Sequence, residues 1–248
     1  MTPHSLLVFS HPNHEIAVLS AIEAAKPAIV YLTDGGHETR VSETKQALSR
    51  LGALENAFFL NYSEASFYAA ILGRDAGFFR EVRARLFGSV SGRDIDAIFC
   101  DAVEFYNPVH DMALPIASRP GDAVPLFEIP LIQQDDARGI RMLTAPAGVE
   151  AFDYPLSDAQ VAKKLAFLRE IYTNLNRYLG GLDSAAAGYA LHEGYFPARR
   201  LPIAPSADGE IRYDQRGKLL VQSGQYAEAI THAGSYRPLV AALLDEAA

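Results

Sequence analysis

The chain has a single cysteine, Cys100, and no tryptophan. One cysteine cannot close an internal disulfide, so the fold must rest on its core and not on a covalent staple. Cations are also scarce. Twenty-two lysines and arginines against 30 aspartates and glutamates leave a net charge of −8 over 248 residues. A chain of that sign has little to offer a phosphate backbone, so nucleic acid is not expected as a partner. No apolar run approaches the roughly 18 to 20 residues that a membrane span needs. The stretch Met1 to Phe9 lacks a basic segment, and its apolar run stops at Ser10 and His11, so it does not read as a secretory signal. A cytoplasmic protein with a small-molecule partner is expected, and nothing points to an oligomeric state. Three familiar catalytic patterns are missing too: G-x-G-x-x-G, G-x-x-x-x-G-K-[ST] and G-x-S-x-G. What is present is a globular balance, 49 % hydrophobic and 21 % charged, suited to one domain of α/β type.

The first hundred residues alternate in pattern. Short apolar runs predict strands at Ser5–Phe9, Ala28–Leu32, Ala57–Leu60 and Ile95–Cys100. Helical spacing predicts helices at Glu15–Lys26, Ser42–Leu51 and Phe78–Phe87, with Pro27 and Gly52 as stops. Strands separated by helices of this length imply βαβ crossovers, hence a mostly parallel, Rossmann-like sheet with helices on both faces. Val124–Ile129 and Ile140–Leu143 read as further strands. Ser157 caps a helix whose apolar stripe runs from Val161 to Leu179, ended by Gly180 and Gly181. Ile211–Tyr213 and Lys218–Gln222 read as a hairpin around Asp214 to Gly217, and Tyr226–Leu244 as a last helix broken near Gly234 and Pro238. The expectation is one domain over 1–248, with a core at about 1–150 and a helical and hairpin cap at about 151–248.

Ligands of open parallel sheets bind beyond the carboxyl ends of the strands. Two clusters lie there. The first is Ser10-His11-Pro12-Asn13-His14-Glu15, directly after the first strand. The second runs from Asp101 to Asp111, after the fourth strand, and contains Glu104, Tyr106, Asn107 and His110. His11, His14 and His110 could form a three-ligand metal site with an open position, the arrangement a catalytic zinc uses. A proline-containing loop and a solvated loop are the plainer alternatives.

These segments resemble the PIG-L/LmbE-like family of zinc-dependent N-acetylglucosaminyl deacetylases. The family's His-Pro-Asp-Asp-Glu loop reads His11-Pro12-Asn13-His14-Glu15 here. Its Thr-Asp-Gly turn and following arginine read Thr33-Asp34-Gly35-Gly36 and Arg40. Glu43, Ala47 and Leu51-Gly52 keep its helix spacing, and Asn107-Pro108-Val109-His110 stands where the family has His-Pro-Asp-His. The resemblance implies a Rossmann-like fold and a metal-dependent hydrolase that deacetylates an amino sugar or sugar-like metabolite. It implies zinc, with iron as the alternative, held by His11, His14 and His110. It implies that Arg40 holds the substrate; apart from the resemblance, Tyr106 in the His110 loop offers a phenolic donor, with packing as the plainer alternative.

Two positions depart from the family. Its general base is Asn13 here, and its oxyanion-stabilising histidine is Asn107; neither amide can move a proton. A relocated base is then expected at Glu104 or Asp101. The alternatives are a relative that binds a sugar or metabolite without turning it over, and a three-histidine metalloenzyme of changed chemistry.

Overall fold

The computed structural model describes residues 1–119, 123–135, 139–142, 148–178, 192–201, 203, 211–224 and 227–245. Four parallel strands, β1 (Ser5–Phe9), β2 (Ala28–Thr33), β3 (Ala57–Tyr62) and β4 (Ala97–Asp101), form its centre. Strand β5 (Leu126–Ile129) adds in parallel to β4. Two antiparallel strands, here numbered β8 (Phe152–Pro155) and β9 (His192–Pro197), extend that edge, so the order is β3-β2-β1-β4-β5-β9-β8. A separate pair, β6 (Ile132–Asp135) and β7 (Gly139–Met142), forms an antiparallel ribbon.

The strands are apolar on both faces because helices cover both. Alternate residues of β1 face opposite layers, as the two-residue period of a strand requires. Leu6 and Val8 pack with Phe79, Val82 and Leu86 of α4 (Ala76–Ser89), in a layer that also holds α3 (Glu64–Gly73), α5 (Pro108–Asp111) and α6 (Ala113–Ala117). Leu7 and Phe9 pack with Leu19 and Ile22 of α1 (Leu19–Ala25), Leu48 of α2 (Glu38–Leu51) and Leu168 of α7 (Asp158–Glu170). The mostly parallel, two-sided sheet expected from the alternation is therefore present. Among the described residues, no helix is long and apolar enough to cross a membrane.

Several boundaries differ from expectation for identifiable reasons. Helix α2 starts at Glu38, four residues before Ser42, because the His37 ring accepts a hydrogen bond from the Thr39 N–H at its start. The stretch between β3 and α4, rich in aromatic and small residues, is helix α3, capped by Ser63 on the Ser66 N–H. The Ser157 cap is present as a reciprocal capping box with Gln160. The helix it opens stops at Glu170, and α8 (Thr173–Tyr178) follows; Leu179, Gly180 and Gly181 lie outside the described residues.

The predicted hairpin around Gly217 is instead one helix, α9 (Arg212–Gln222). Tyr213 and Gly217, four residues apart, make its buried face. Gly217 is not a turn residue. It lets the helix approach the chain, since a Cβ there would sit 3.1 Å from the Ile230 carbonyl oxygen. The last predicted helix is shortened to α10 (Arg237–Leu244), preceded by a wide turn over His232–Tyr236.

Two buried ion pairs fasten the later elements to the sheet. Glu128 on β5 accepts hydrogen bonds from Arg199 Nε at 2.9 Å and Nη2 at 2.5 Å, and from the Val103 N–H at 2.9 Å. Glu193 on β9 accepts from the N–H groups of Ser20 and Ala21 in α1 and pairs with Lys164 of α7 at 3.1 Å. Both Glu193 and Lys164 are almost wholly buried. Removing one partner of such a pair leaves an uncompensated charge and costs about 3–5 kcal/mol. Glu193→Gln should therefore lower stability by about 3 kcal/mol in urea denaturation at neutral pH. Burial already holds the Lys164 ammonium below the usual lysine value. The unfolded chain then binds the proton more readily, so the deficit should shrink as pH rises toward the unfolded lysine value. A deficit that is absent, or that grows with pH, would contradict this account.

Candidate active site

The carboxyl ends of β1, β2 and β4 converge on one cleft of about 330 Å³, lined by His11, Asn13, His14, Arg40, Glu64, Asn107 and His110 among others. The organising group is Asp101 at the end of β4, fully buried. Its Oδ2 accepts hydrogen bonds from the Ser10 N–H at 2.7 Å, the Ser10 hydroxyl at 2.6 Å and His14 Nδ1 at 2.9 Å. Asp101 thus fixes both the exit of β1 and the tautomer of His14. His14 lines the cleft, so its Nε2 is the nitrogen left to meet a ligand.

His11 is fixed from the neighbouring strand. The Thr33 hydroxyl donates to the Ser10 carbonyl at 2.7 Å, so its oxygen accepts from His11 Nδ1 at 3.0 Å. The proton then sits on Nδ1, and Nε2 has no hydrogen-bond partner among the described residues. The nearest carboxylate, Glu64 Oε1, is 3.7 Å from it. His110, on α5, likewise leaves its buried Nδ1 without a partner there. Burial, then the neighbouring imidazoles and Arg40, hold His11 and His110 well below the usual imidazole value, so both are neutral near pH 7.

The three rings pack edge to face, with centroids 4.6–5.2 Å apart. This closeness does not make the expected metal centre. Among the described residues, no group of three or more histidine, cysteine, aspartate or glutamate side chains could hold a metal ion. The zinc or iron site expected at His11, His14 and His110 is therefore corrected. The Nδ1 bonds to Thr33 and Asp101 fix the orientation of two of the rings, and as oriented the three rings do not form a coordinating set.

The other expected residues fall into two groups. Arg40 lines the cleft, with Nη1 donating to the Gly35 carbonyl at 3.0 Å. Tyr106 lines it too, with the Arg212 guanidinium 4.6 Å from its ring centre. Asn107 caps α5; its Oδ1 accepts from the Val109 N–H at 2.9 Å and the Tyr68 hydroxyl at 3.3 Å, and its side-chain amide hydrogen-bonds the Glu64 carboxylate. Asn13, in contrast, is committed to the protein. Its Nδ2 donates to Glu43 Oε2 at 2.8 Å, and its Oδ1 accepts from the Thr44 hydroxyl at 3.0 Å. Its backbone is left-handed, with φ at 78°, a conformation that asparagine tolerates better than most residues. Glu104 does not line the cleft: its Oε1 accepts from the Leu131 N–H at 2.7 Å. Asp111 holds the N–H groups of Glu104 and Phe105. Glu15 is buried behind the site, bonded to the Tyr172 hydroxyl at 2.8 Å.

Glu64 and Tyr68 come from α3, a stretch that the apolar-run and helical-spacing patterns of the sequence do not mark. Glu64 reaches the cleft over Gly36, whose left-handed φ of 69° and missing Cβ leave space for that carboxylate. The serine at 63, followed by three residues to the capped N–H of Ser66, was the available signal for this helix.

No family model matches the chain, and no curated protein matches it in sequence. Solved structures do match. The A40926 pseudoaglycone deacetylase Dbv21 aligns at 12 % identity over 82 % of this chain and 100 % of its own, with a TM-score of 0.53. A triple mutant of a deacetylase of the teicoplanin biosynthetic pathway aligns at 12 % identity over 81 % and 100 %, with a TM-score of 0.56. A deacetylase–bog complex of teicoplanin biosynthesis aligns at 12 % over 80 % and 99 %, with a TM-score of 0.50. The chain has the fold of these deacetylases. The fold implied by the resemblance to PIG-L/LmbE-like proteins is thus the one found.

The Asn13 contact makes a direct prediction. Asn13→Asp would place there the residue that the PIG-L/LmbE-like loop carries, but set a second carboxylate against Glu43. The donated hydrogen bond is lost and two buried charges oppose each other. Stability should fall by about 1–3 kcal/mol at pH 7. One carboxyl of the pair then has a raised folded value, so its contribution is present at low pH and lost as pH rises through that value. Thermal unfolding at pH 5 and pH 8 checks this; a variant as stable as the parent at pH 8 would show that Asn13 does not depend on Glu43.

Proposed function

We propose that the protein is a divergent PIG-L/LmbE-like member that hydrolyses an acyl–nitrogen bond in a small, polar, sugar-like molecule. The observation that carries this reading is the His14–Asp101 pair facing the cleft at the carboxyl edge of the sheet. A buried carboxylate that accepts Nδ1–H leaves Nε2 to act as a base. Water held there attacks the carbonyl carbon, and its proton passes to Nε2. The resulting oxyanion lies within a cleft that offers the Arg40 guanidinium as a donor. The C–N bond then breaks, and the leaving amine takes the proton back from His14. In this reading Asp101 is a positioning residue for His14, and Glu104 maintains the chain around Leu131. Arg40 and Tyr106 contact the substrate.

A second reading is favoured by Asn13. Its two polar side-chain atoms are spent on Glu43 and Thr44, so the position that handles protons in the family has no part in chemistry here. The cleft would then bind the sugar-like molecule without cleaving it.

Acetate release from a panel of N-acetylated amino sugars, with binding followed in parallel by calorimetry, separates the two. Hydrolysis predicts release by the parent, and a loss of about 100-fold or more in kcat for His14→Gln, as expected for removal of a general base. Asp101→Asn should lower kcat and alter the pH profile with little change in KM. Binding without release by the parent protein establishes the second reading.

A further inference from the structure

A second cavity of about 200 Å³ opens from the cleft and shares Glu64, Tyr106 and Asn107 with it. Its far wall is α9, from which Arg212 and Arg216 both line the space. Four residues apart on a helix, they lie on one face. Arg212 sits over the Tyr106 ring, at the boundary between the two cavities. Arg216 is exposed, and no hydrogen bond or ion pair holds it among the described residues. Between them Tyr213 lines the same space. It is only 4 % exposed, yet its hydroxyl has no hydrogen-bond partner among the described residues. A buried hydroxyl without a partner is costly unless a ligand or water satisfies it.

The acidic groups nearby do not cancel this charge. Asp214 on the same helix turns to the His232 N–H, at 2.7 Å. Glu64 stands at the junction, on the side of His11. In a chain with a net charge of −8, two arginines and a donor hydroxyl on one cavity wall are a local inversion of sign.

We propose that this cavity is an anion subsite, taking a phosphate or carboxylate group borne by the ligand whose sugar-like part occupies the main cleft. Arginine matches either anion with paired donors, and Tyr213 supplies a further one. The identity of the sugar-like part rests on the function proposed above; the anion subsite does not.

Calorimetric titration tests it with four probes: N-acetylglucosamine, N-acetylglucosamine 6-phosphate, N-acetylmuramic acid and inorganic phosphate. The expected result is about tenfold tighter binding of one or both anionic sugars than of the neutral one, the gain typical of a charged hydrogen bond. The larger of the two gains tells phosphate from carboxylate. Arg216→Ala should cut that preference to about twofold or less, and Arg216→Glu should reverse it. Tyr213→Phe should reduce it partway. Equal affinity for neutral and anionic sugars in the parent, or a preference that survives both Arg216 variants, overturns the subsite. Hydrolysis of N-acetyl sugars without any anion preference keeps the proposed function and rejects the subsite. Binding of inorganic phosphate that depends on Arg216, with no sugar bound, keeps the subsite and rejects the sugar.

Discussion

A single buried carboxylate organises the carboxyl edge of the sheet. Asp101 ends β4 where the chain leaves the sheet, and three donors from the neighbouring β1 loop converge on one of its oxygens. A charge placed in so dry an environment is costly, and hydrogen bonds to it offset that cost. Ser10 supplies two and His14 a third, all to Oδ2; Oδ1 has no hydrogen-bond partner among the described residues. The need to satisfy Asp101 therefore sets the path of the loop after β1 and the orientation of the ring that faces the cleft. Thr33 repeats the device one strand away: its hydroxyl holds the Ser10 carbonyl and His11 together. Parallel strands bring these loops to the same edge, and the hydrogen bonds between the loops turn proximity into fixed geometry.

The same economy governs the later half of the chain. Glu128 and Glu193 are buried acids on β5 and β9, the strands that extend the sheet beyond its parallel core. Each is surrounded by backbone N–H donors and one cation. Glu193 holds the N–H groups of Ser20 and Ala21 at the start of α1, while Lys164 comes from α7 on the same layer. Arg199 reaches from the chain just after β9 to Glu128 and to the Val103 carbonyl. The basic and aromatic run around 192–200, compatible in composition with a lid, is partly a sheet strand and partly the fastening that anchors it. Whatever closes over the cleft from the C-terminal side includes α8, through Asn174 and Leu175, and α9 bounds the adjoining cavity.

The parallel core was legible because its signals are local. Runs such as Leu6 to Phe9 and Ile29 to Leu32 are apolar at every position, the pattern of a strand buried on both faces. The site loops were legible for the same reason: they follow those strands directly. His11, Asn13, His14, Arg40, Tyr106, Asn107 and His110 all line the cleft. What failed depended on long-range contacts. The N–H of Leu131 determines where Glu104 points, and Glu104 is 27 residues away from it in sequence. Gly217 reads as a turn until the carbonyl of Ile230 is seen against it. The metal expectation failed at a finer level. Three histidines can be counted in a sequence, but whether their nitrogens form a coordinating set depends on ring orientation. Hydrogen bonds to Thr33 and Asp101 set that orientation for two of the rings.

The amides at 13 and 107 make sense together with that arrangement. A buried pair of neutral imidazoles, His11 and His110, cannot stabilise an adjacent unpaired aspartate as a cation would. An aspartate at 13 would also face Glu43, which already lies in hydrogen-bond contact with the residue at that position. Asparagine removes the charge and keeps the shape. At 107 the amide oxygen caps the first turn of α5, which carries His110, and the amide nitrogen meets the Glu64 carboxylate. His14 is the imidazole of the three with a buried carboxylate behind it. An uncharged residue at 13 and the buried Asp101 are thus two sides of one electrostatic solution: the acid that fixes His14 lies beneath the cleft, while Glu64 is a carboxylate on its wall.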